Sequence, residues 1–185
     1  MATAEMVELL TAEQFGQRPD PGYPEELVQG RVVAKSVPDR RHGYVCGKAD
    51  RVFGNFVDGR DIGRVMCNDS GVITERAPDT VRGADVAYYS YARIPKGMLP
   101  AGYGPEVPEL VVEVRSAHDR WGEIIEKVSE YLNAGVLVVV VLDPEPQIAQ
   151  VFTADDPPMT LKTEEELVLP GVLDEFRVRV GQFFD

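Results

Sequence analysis

The run PELVVEVRSAHDRWGEIIEKVSEYLNAGVLVVVVLDP, from Pro108 to Pro144, decides the fold. Leu110 to Val114 and Val136 to Leu142 are apolar without polar alternation, the pattern of strands covered on both faces. Between them, Asp119 to Ala134 carries Trp121, Ile124, Ile125, Val128 and Leu132 at steps of three and four. That spacing predicts a helix with one buried stripe, and Gly135 stands where a left-handed residue would end it. A strand, a helix and a second strand in this order form a right-handed parallel crossover. The expected fold class is therefore α/β (α+β), a mixed β-sheet flanked by helices around a strand-helix-strand core.

Upstream, Arg64 to Cys67, Gly71 to Thr74 and Gly83 to Tyr89 read as three short strands. The turn-forming runs Asn68-Asp69-Ser70-Gly71 and Ala77-Pro78-Asp79 separate them into a meander. Arg41 to Val57 repeats Val45, Ala49, Val52, Phe53 and Phe56 at helical spacing, with Gly59 expected to end the helix. Glu26 to Val28 and Arg31 to Lys35 flank Gln29-Gly30 as a hairpin, and Thr11 to Phe15 is a short capped helical turn before the break RPDPGYP. Ile94 to Pro108 is rich in Pro and Gly and has no period, which predicts an irregular surface connection serving as a lid or a dimer contact. Ile148 to Phe152 and the tail from Phe176 to Phe184 are expected to add antiparallel edges to the sheet and a final turn.

A chain of 185 residues is long enough to close one sizeable core, burying roughly 70% of its unfolded surface, so a single domain over 1–185 is expected. With 44% hydrophobic and 27% charged residues the composition is that of a globular protein. Glu5, Glu8 and Glu13 interrupt any apolar leader, and the longest apolar run falls far short of the roughly 20 residues that span a bilayer. Cys46 and Cys67, without a paired Cys motif, predict two reduced, buried thiols and a cytoplasmic location. The net charge of −12 opposes broad binding to phosphate backbones. A carboxylate cluster around a divalent cation is itself acidic, however, and the ion inverts the local charge.

Two carboxylates stand out against this background. Glu113 interrupts the buried strand LVVEV, and Asp85 lies in GADVAYY with apolar neighbours on both sides. Burying an acid there is costly unless a cation or hydrogen-bond donors satisfy it, and two inward carboxylates on strands suggest an oxygen-ligand metal site. Lys127, on the flank of the following helix's apolar stripe, can run its stem along apolar surface and extend its ammonium group over the strand ends. For Lys127 alone, an ordinary salt bridge with Glu123 one turn earlier explains as much. Taken together, the three groups predict a cation that acidifies a bound water and offsets phosphate charge, with the lysine orienting or deprotonating that water.

The order ELVQGRV, GADVAYYS, PELVVEVRSAHD, EKVSEYLNAGV and VVVVLDP resembles the Uma-type restriction endonucleases, a widespread bacterial family within the PD-(D/E)XK superfamily, from about Thr11 to the final Phe residues. The resemblance implies a restriction-endonuclease-like fold and an endonuclease that hydrolyses nucleic acid, most simply DNA, with Mg²⁺ or Mn²⁺. It places Asp85 at the family's aspartate position, Glu113 at its second acidic position and the catalytic lysine at Lys127. Glu26 becomes an auxiliary ligand or positions one, and the backbone carbonyl of Val114 becomes a further metal ligand. The pattern is broken at three places: Ala84 replaces the usual proline, Ser116-Ala117-His118-Asp119 replaces the S-P-S-D turn, and Arg115 stands where the superfamily carries its lysine. Arg115 cannot act as a base, yet it could clamp a phosphate or pair with a carboxylate. The alternative function is a catalytically weak nuclease-fold module that binds or assembles. A homodimer is expected on the general prevalence of two-fold pairs.

Other signals carry less. His42 and His118 lack metal-ligand spacing; His42 reads as a cap or packing residue, and His118 as a surface residue near the candidate site. Gly102-Tyr103-Gly104 follows no strand and opens no helix, so it is not a dinucleotide fingerprint. Ser116, His118 and Asp119 are adjacent without the orientation of a triad. Glu164-Glu165-Glu166 reads as a solvated turn or helix start.

Overall fold

The computed structural model describes residues 9–117 and 119–185. The readings made on residues 1–8 and on His118 lie outside the described residues. The chain opens with helix α1 (Ala12–Gly16), held by Thr11 in a capping box with Gln14. The hairpin of β1 (Glu25–Val28) and β2 (Arg31–Ala34) follows, with Gln29 and Gly30 both at positive φ. Helix α2 spans Arg40–Arg60 and runs through Gly59, the expected stop, to a left-handed Asp61.

The meander is two long strands instead of three short ones. β3 (Gly63–Glu75) and β4 (Thr80–Ser90) pair antiparallel along their whole length. Asn68 and Asp69, read from the sequence as a turn, instead form an irregularity inside β3, with both residues at positive φ. A short polar run can bulge out of a ladder without breaking it. Next come β5 (Leu110–Val114), helix α3 (Trp121–Ala134), closed by Gly135 at φ 102°, and β6 (Val138–Asp143). β5 and β6 pair in parallel, so the crossover is present. β7 (Ile148–Phe152) and β8 (Met159–Leu161) continue the sheet antiparallel from β6.

The main sheet has eight strands in the order β2-β1-β4-β5-β6-β7-β8, with β3 attached to β4. The tail departs from the expectation. β9 (Glu166–Leu169) and β10 (Leu173–Arg179) form a separate two-stranded sheet and do not extend the main one. Their apolar residues, with the following 3₁₀ turn Val180–Phe183, cover α2: Phe176 and Phe183 stack on Phe53 at ring separations of 4.8 and 5.8 Å. The acidic run Glu164-Glu165-Glu166 is a turn leading into β9.

The sheet lies between two cores. Under α2, Val45, Ala49 and Phe53 meet Val86, Val112 and Val140. Under α3, Ile124, Val128 and Tyr131 meet Ala87, Val111 and Val139. The buried stripe of α3 is Ile124, Val128 and Tyr131, and Ile125, expected inside, is 42% exposed. Among the described residues no helix is long and apolar enough to cross a membrane.

One feature of the sheet creates the candidate site. β3 occupies one edge of β4 throughout, so β1 and β5 must share the other edge. β1 registers at Val81 and β5 begins at Val86. Residues 82–85 are therefore left without a strand on that side, and buried backbone groups in such a gap need other partners.

Candidate active site

Side chains fill the gap in β4. The Gly83 N–H donates to Glu26 Oε1 at 3.2 Å, while the Gly83 carbonyl accepts from Lys127 Nζ and from the Tyr131 hydroxyl, each at 3.3 Å. A side chain at Gly83 would press its Cβ to 3.0 Å from the Cβ of Asp69 on the β3 bulge, so glycine is what lets the two strands approach here. Across the gap, the Val114 N–H donates to Asp85 Oδ2 at 2.7 Å, one step beyond the last recorded β4–β5 pair. Strand alternation slips at this point. Ala84 and Ala87 both belong to the α3 core, whereas Val86 belongs to the α2 core, and Asp85 has His42 of α2 at 3.4 Å.

Asp85, Glu113, Lys127 and Glu26 line one cleft of about 110 Å³, room for several water molecules. Lys127 Nζ lies 2.8 Å from Glu113 Oε2 and 3.4 Å from Glu26 Oε1. Glu123, the alternative partner for Lys127, also lines the cleft. Tyr131, one helical turn after Lys127, donates to Glu113 Oε1 at 2.8 Å. Both oxygens of Glu113 are thus engaged by α3.

Glu26 has its own support. Arg82 NH1 donates to it at 3.0 Å and also binds Glu130 through two nitrogens at 2.6 and 2.7 Å. Lys35 stands 3.6 Å away. Glu26 is thereby a fixed counter-charge beside Lys127.

The charges are unequally compensated. Burial lifts Glu113 to about 7, an effect that Lys127 opposes and the Asp85 charge reinforces. Burial would lower Lys127, but Glu113 and Glu26 outweigh it and hold the amine above its ordinary value, fully protonated. Burial would raise Glu26, yet Lys127, Lys35 and Arg82 bring it below the usual carboxylate range. Burial would likewise lower His42, but hydrogen bonding to Asp85 and the charges of Asp85, Asp119 and Asp69 raise it. The site has the makings of an acid-base machine: a buried acid near neutrality beside a permanently charged amine.

Arg115 is not brought into this cleft. Its guanidinium donates to the buried Asp143 at 2.9 Å and lies over the Trp121 ring at 5.3 Å, in an adjoining groove. Of its two readings, phosphate clamp or carboxylate partner, Arg115 takes the second, with the carboxylate at the end of β6. Cys67, expected to be buried, is exposed, while Cys46 is half-buried.

Several residues that line the cleft or support its lining are missed by sequence reasoning. Tyr131 has a legible signal, because it lies four residues after Lys127 on one helical face. Arg82 and Asp69 have none, since their approach depends on how β1, β3 and β4 meet. His42 and Cys46 lie one turn apart on α2, and only the fold shows that this face looks at Asp85.

Residues 12–181 match the family described as Uma2, putative restriction endonuclease. Among solved structures, a putative nuclease belonging to DUF820 from Anabaena variabilis is similar, with a TM-score of 0.82, covering 95% of this chain and 97% of that one. The two share 17% sequence identity, so this likeness speaks for the fold. No curated protein matches.

Proposed function

Because the chain belongs to the Uma2 putative restriction endonuclease family, we propose that it is a metal-dependent endonuclease that hydrolyses phosphodiester bonds, most simply in DNA. The observation that carries this reading is the meeting of Glu113 and Glu26 at Lys127 Nζ, with Asp85 in the same cleft.

The donor set is all oxygen on the β-sheet side, which suits Mg²⁺ or Mn²⁺. Burial leaves Glu113 short of compensating positive charge, as expected of a carboxylate that serves a cation. Asp85 and Glu113 would hold the ion, with the Val114 carbonyl as a further ligand. Such a cation supplies a more acidic bound water and offsets charge on the phosphate. Asp85 is oriented for this by the Val114 N–H. Glu113 is held by Tyr131 and Lys127 and would give up part of that hold to a cation. Lys127 orients the attacking water and faces the developing phosphate charge. Glu26 is a positioning residue: anchored by Arg82 and the Gly83 N–H, it keeps the Lys127 ammonium in place.

Purified protein with Mg²⁺ or Mn²⁺, challenged with single- and double-stranded DNA and RNA, tests the reading. Cleavage that disappears in Asp85→Ala supports it, and cleavage that survives Asp85→Ala overturns the mechanism. The second reading, a catalytically weak binding or assembly module, draws on the net charge of −12 and on the full engagement of Glu113 by Lys127 and Tyr131 of α3. Calorimetry separates the two. Absence of Mn²⁺ binding at millimolar concentration, with no nucleic-acid shift at low salt, favours the module. A two-fold homodimer belongs to the same proposal on general prevalence, and light scattering measures it.

A further inference from the structure

We infer that His42, Cys46 and Asp85 form a second cation site, suited to a borderline transition metal of the zinc class, on the α2 side of the cleft. His42 and Cys46 are one helical turn apart and present their donors together. Cys46 Sγ lies 3.4 Å from His42 Nδ1 and 3.9 Å from Nε2, and His42 Nε2 lies 3.4 Å from Asp85 Oδ2. One ligand atom from each residue falls within 4.8 Å of the other two.

These separations suit tetrahedral coordination. Metal–nitrogen and metal–sulfur bonds of about 2.0 and 2.3 Å put neighbouring ligand atoms roughly 3.3 to 3.7 Å apart. Small side-chain rotations bring the three donors around one ion. The fourth position opens into the groove lined by Asp50, Cys67, Asn68 and Asp69, where a water or the Asp69 carboxylate can complete it. The supports of a built site are present. The Val114 N–H fixes Asp85, and Asp39 caps α2 at the His42 backbone N–H at 2.9 Å.

Ligand chemistry separates this site from the proposed Mg²⁺ site. A thiolate and an imidazole select Zn²⁺ or Co²⁺, whereas the carboxylates of Asp85 and Glu113 suit Mg²⁺ or Mn²⁺. On binding, Cys46 gives its proton to the solvent and ligates as thiolate, and His42 ligates as the neutral imidazole, releasing to solvent any proton it carries, so no redox partner is needed. Asp85 is common to both sites. A zinc-class ion held by His42 and Cys46 therefore withdraws Asp85 from the hard-cation site and switches that site off. This antagonism rests on the proposed function; the His42–Cys46–Asp85 site does not.

Titration of the full chain with Co²⁺, followed by absorption, tests the site. The expected result is a thiolate-to-Co²⁺ charge-transfer band in the near ultraviolet, reaching its full height at one ion per chain and erased by Zn²⁺. The band should be lost in Cys46→Ser and His42→Ala and retained in Cys67→Ala and Glu113→Gln. No band in the unaltered protein, a band that survives Cys46→Ser, or one lost in Glu113→Gln overturns the proposal. Circular dichroism of each variant verifies that it is folded, and Cys46→Ala replaces Cys46→Ser if the latter is not. Mn²⁺ binding, read separately by its electron paramagnetic resonance signal, reports on the Asp85–Glu113 reading. A Co²⁺ band without Mn²⁺ binding supports this site while the nuclease reading fails.

Discussion

Lys127 Nζ stands 2.8 Å from Glu113 Oε2, tying helix α3 to the C-terminal end of the buried strand β5. Removing one partner of such a buried pair leaves the other charge stranded, which is costlier than losing the bond alone. Glu113 can escape that cost by taking up a proton, because burial already places it near neutrality. Lys127→Met should therefore cost about 1–3 kcal/mol at pH 8 and less at pH 5.5, where Glu113 is neutral. Thermal melts at the two pH values measure this, and an equal loss at both would refute the coupling. In the nuclease reading, the same variant loses cleavage by about 10²-fold or more.

Metal binding should depend on pH through the same carboxyl. The folded-state value of Glu113 is raised to about 7, so below that pH a proton must leave before a cation can bind. Apparent Mn²⁺ affinity is expected to fall by about tenfold for each unit below 7 and to level off above it. Linkage gives the companion sign for the metal-free fold. Between its unfolded value of about 4.3 and 7 the folded state holds the extra proton, so stability declines as pH rises through that window. Glu113→Gln should flatten that decline. A Mn²⁺ affinity identical at pH 6 and 8 would exclude Glu113 as a ligand.

Asp79 contributes to the acid limb of stability. It accepts from the Ala12 N–H at 2.8 Å, the Ala77 N–H at 3.2 Å and Arg76 at 2.8 Å, pinning α1 to the β3–β4 turn. Burial would raise its carboxyl, but these backbone donors and Arg76 hold it below the ordinary range. Its contribution is therefore complete above the unfolded value of about 3.9 and is lost as pH falls through the lower folded value. Asp79→Ala should cost about 1–3 kcal/mol at pH 7 by orphaning those donors. Denaturant melts at pH 7 and pH 3 should show the difference between variant and parent shrinking toward the acid end.

Arg115 should behave as a structural residue. Its partner Asp143 is 2% exposed, so Arg115→Ala leaves a buried carboxylate without its ion pair and should cost about 3 kcal/mol. Mn²⁺ affinity is expected to stay within twofold of the parent, roughly the scatter between unrelated sites. A large loss of metal affinity with an unchanged melting temperature would return Arg115 to the cleft.

The elements that were legible in the sequence are those that local periodicity specifies. LVVEV and VVVVLD could only be central strands, because no solvent-facing alternation interrupts them. Val45, Ala49 and Phe53 repeat at a spacing that only a helix can bury on one side. The oddity of Glu113 and Asp85 was legible for the same reason: a carboxylate inside an apolar strand calls for a partner. The bulge at Asn68–Asp69 was misread because a polar run that turns a chain and one that bulges a strand have the same composition. The tail was misread because β9 and β10 have strand propensity, which does not say which sheet they join.

The sequence by itself determined the central strands, the two long helices and which acids are out of place, since these follow from the chemistry of neighbours within a few residues. Only the tertiary structure decided that β1 and β5 share one edge of β4. It alone brings Glu26, Lys127 and Tyr131 to Gly83, sends Arg115 to Asp143 and turns Asp85 toward His42. Those relations join residues far apart in the chain. They arise from the need to satisfy buried backbone and charge where two strands stop short of each other, a need that no local window of sequence contains.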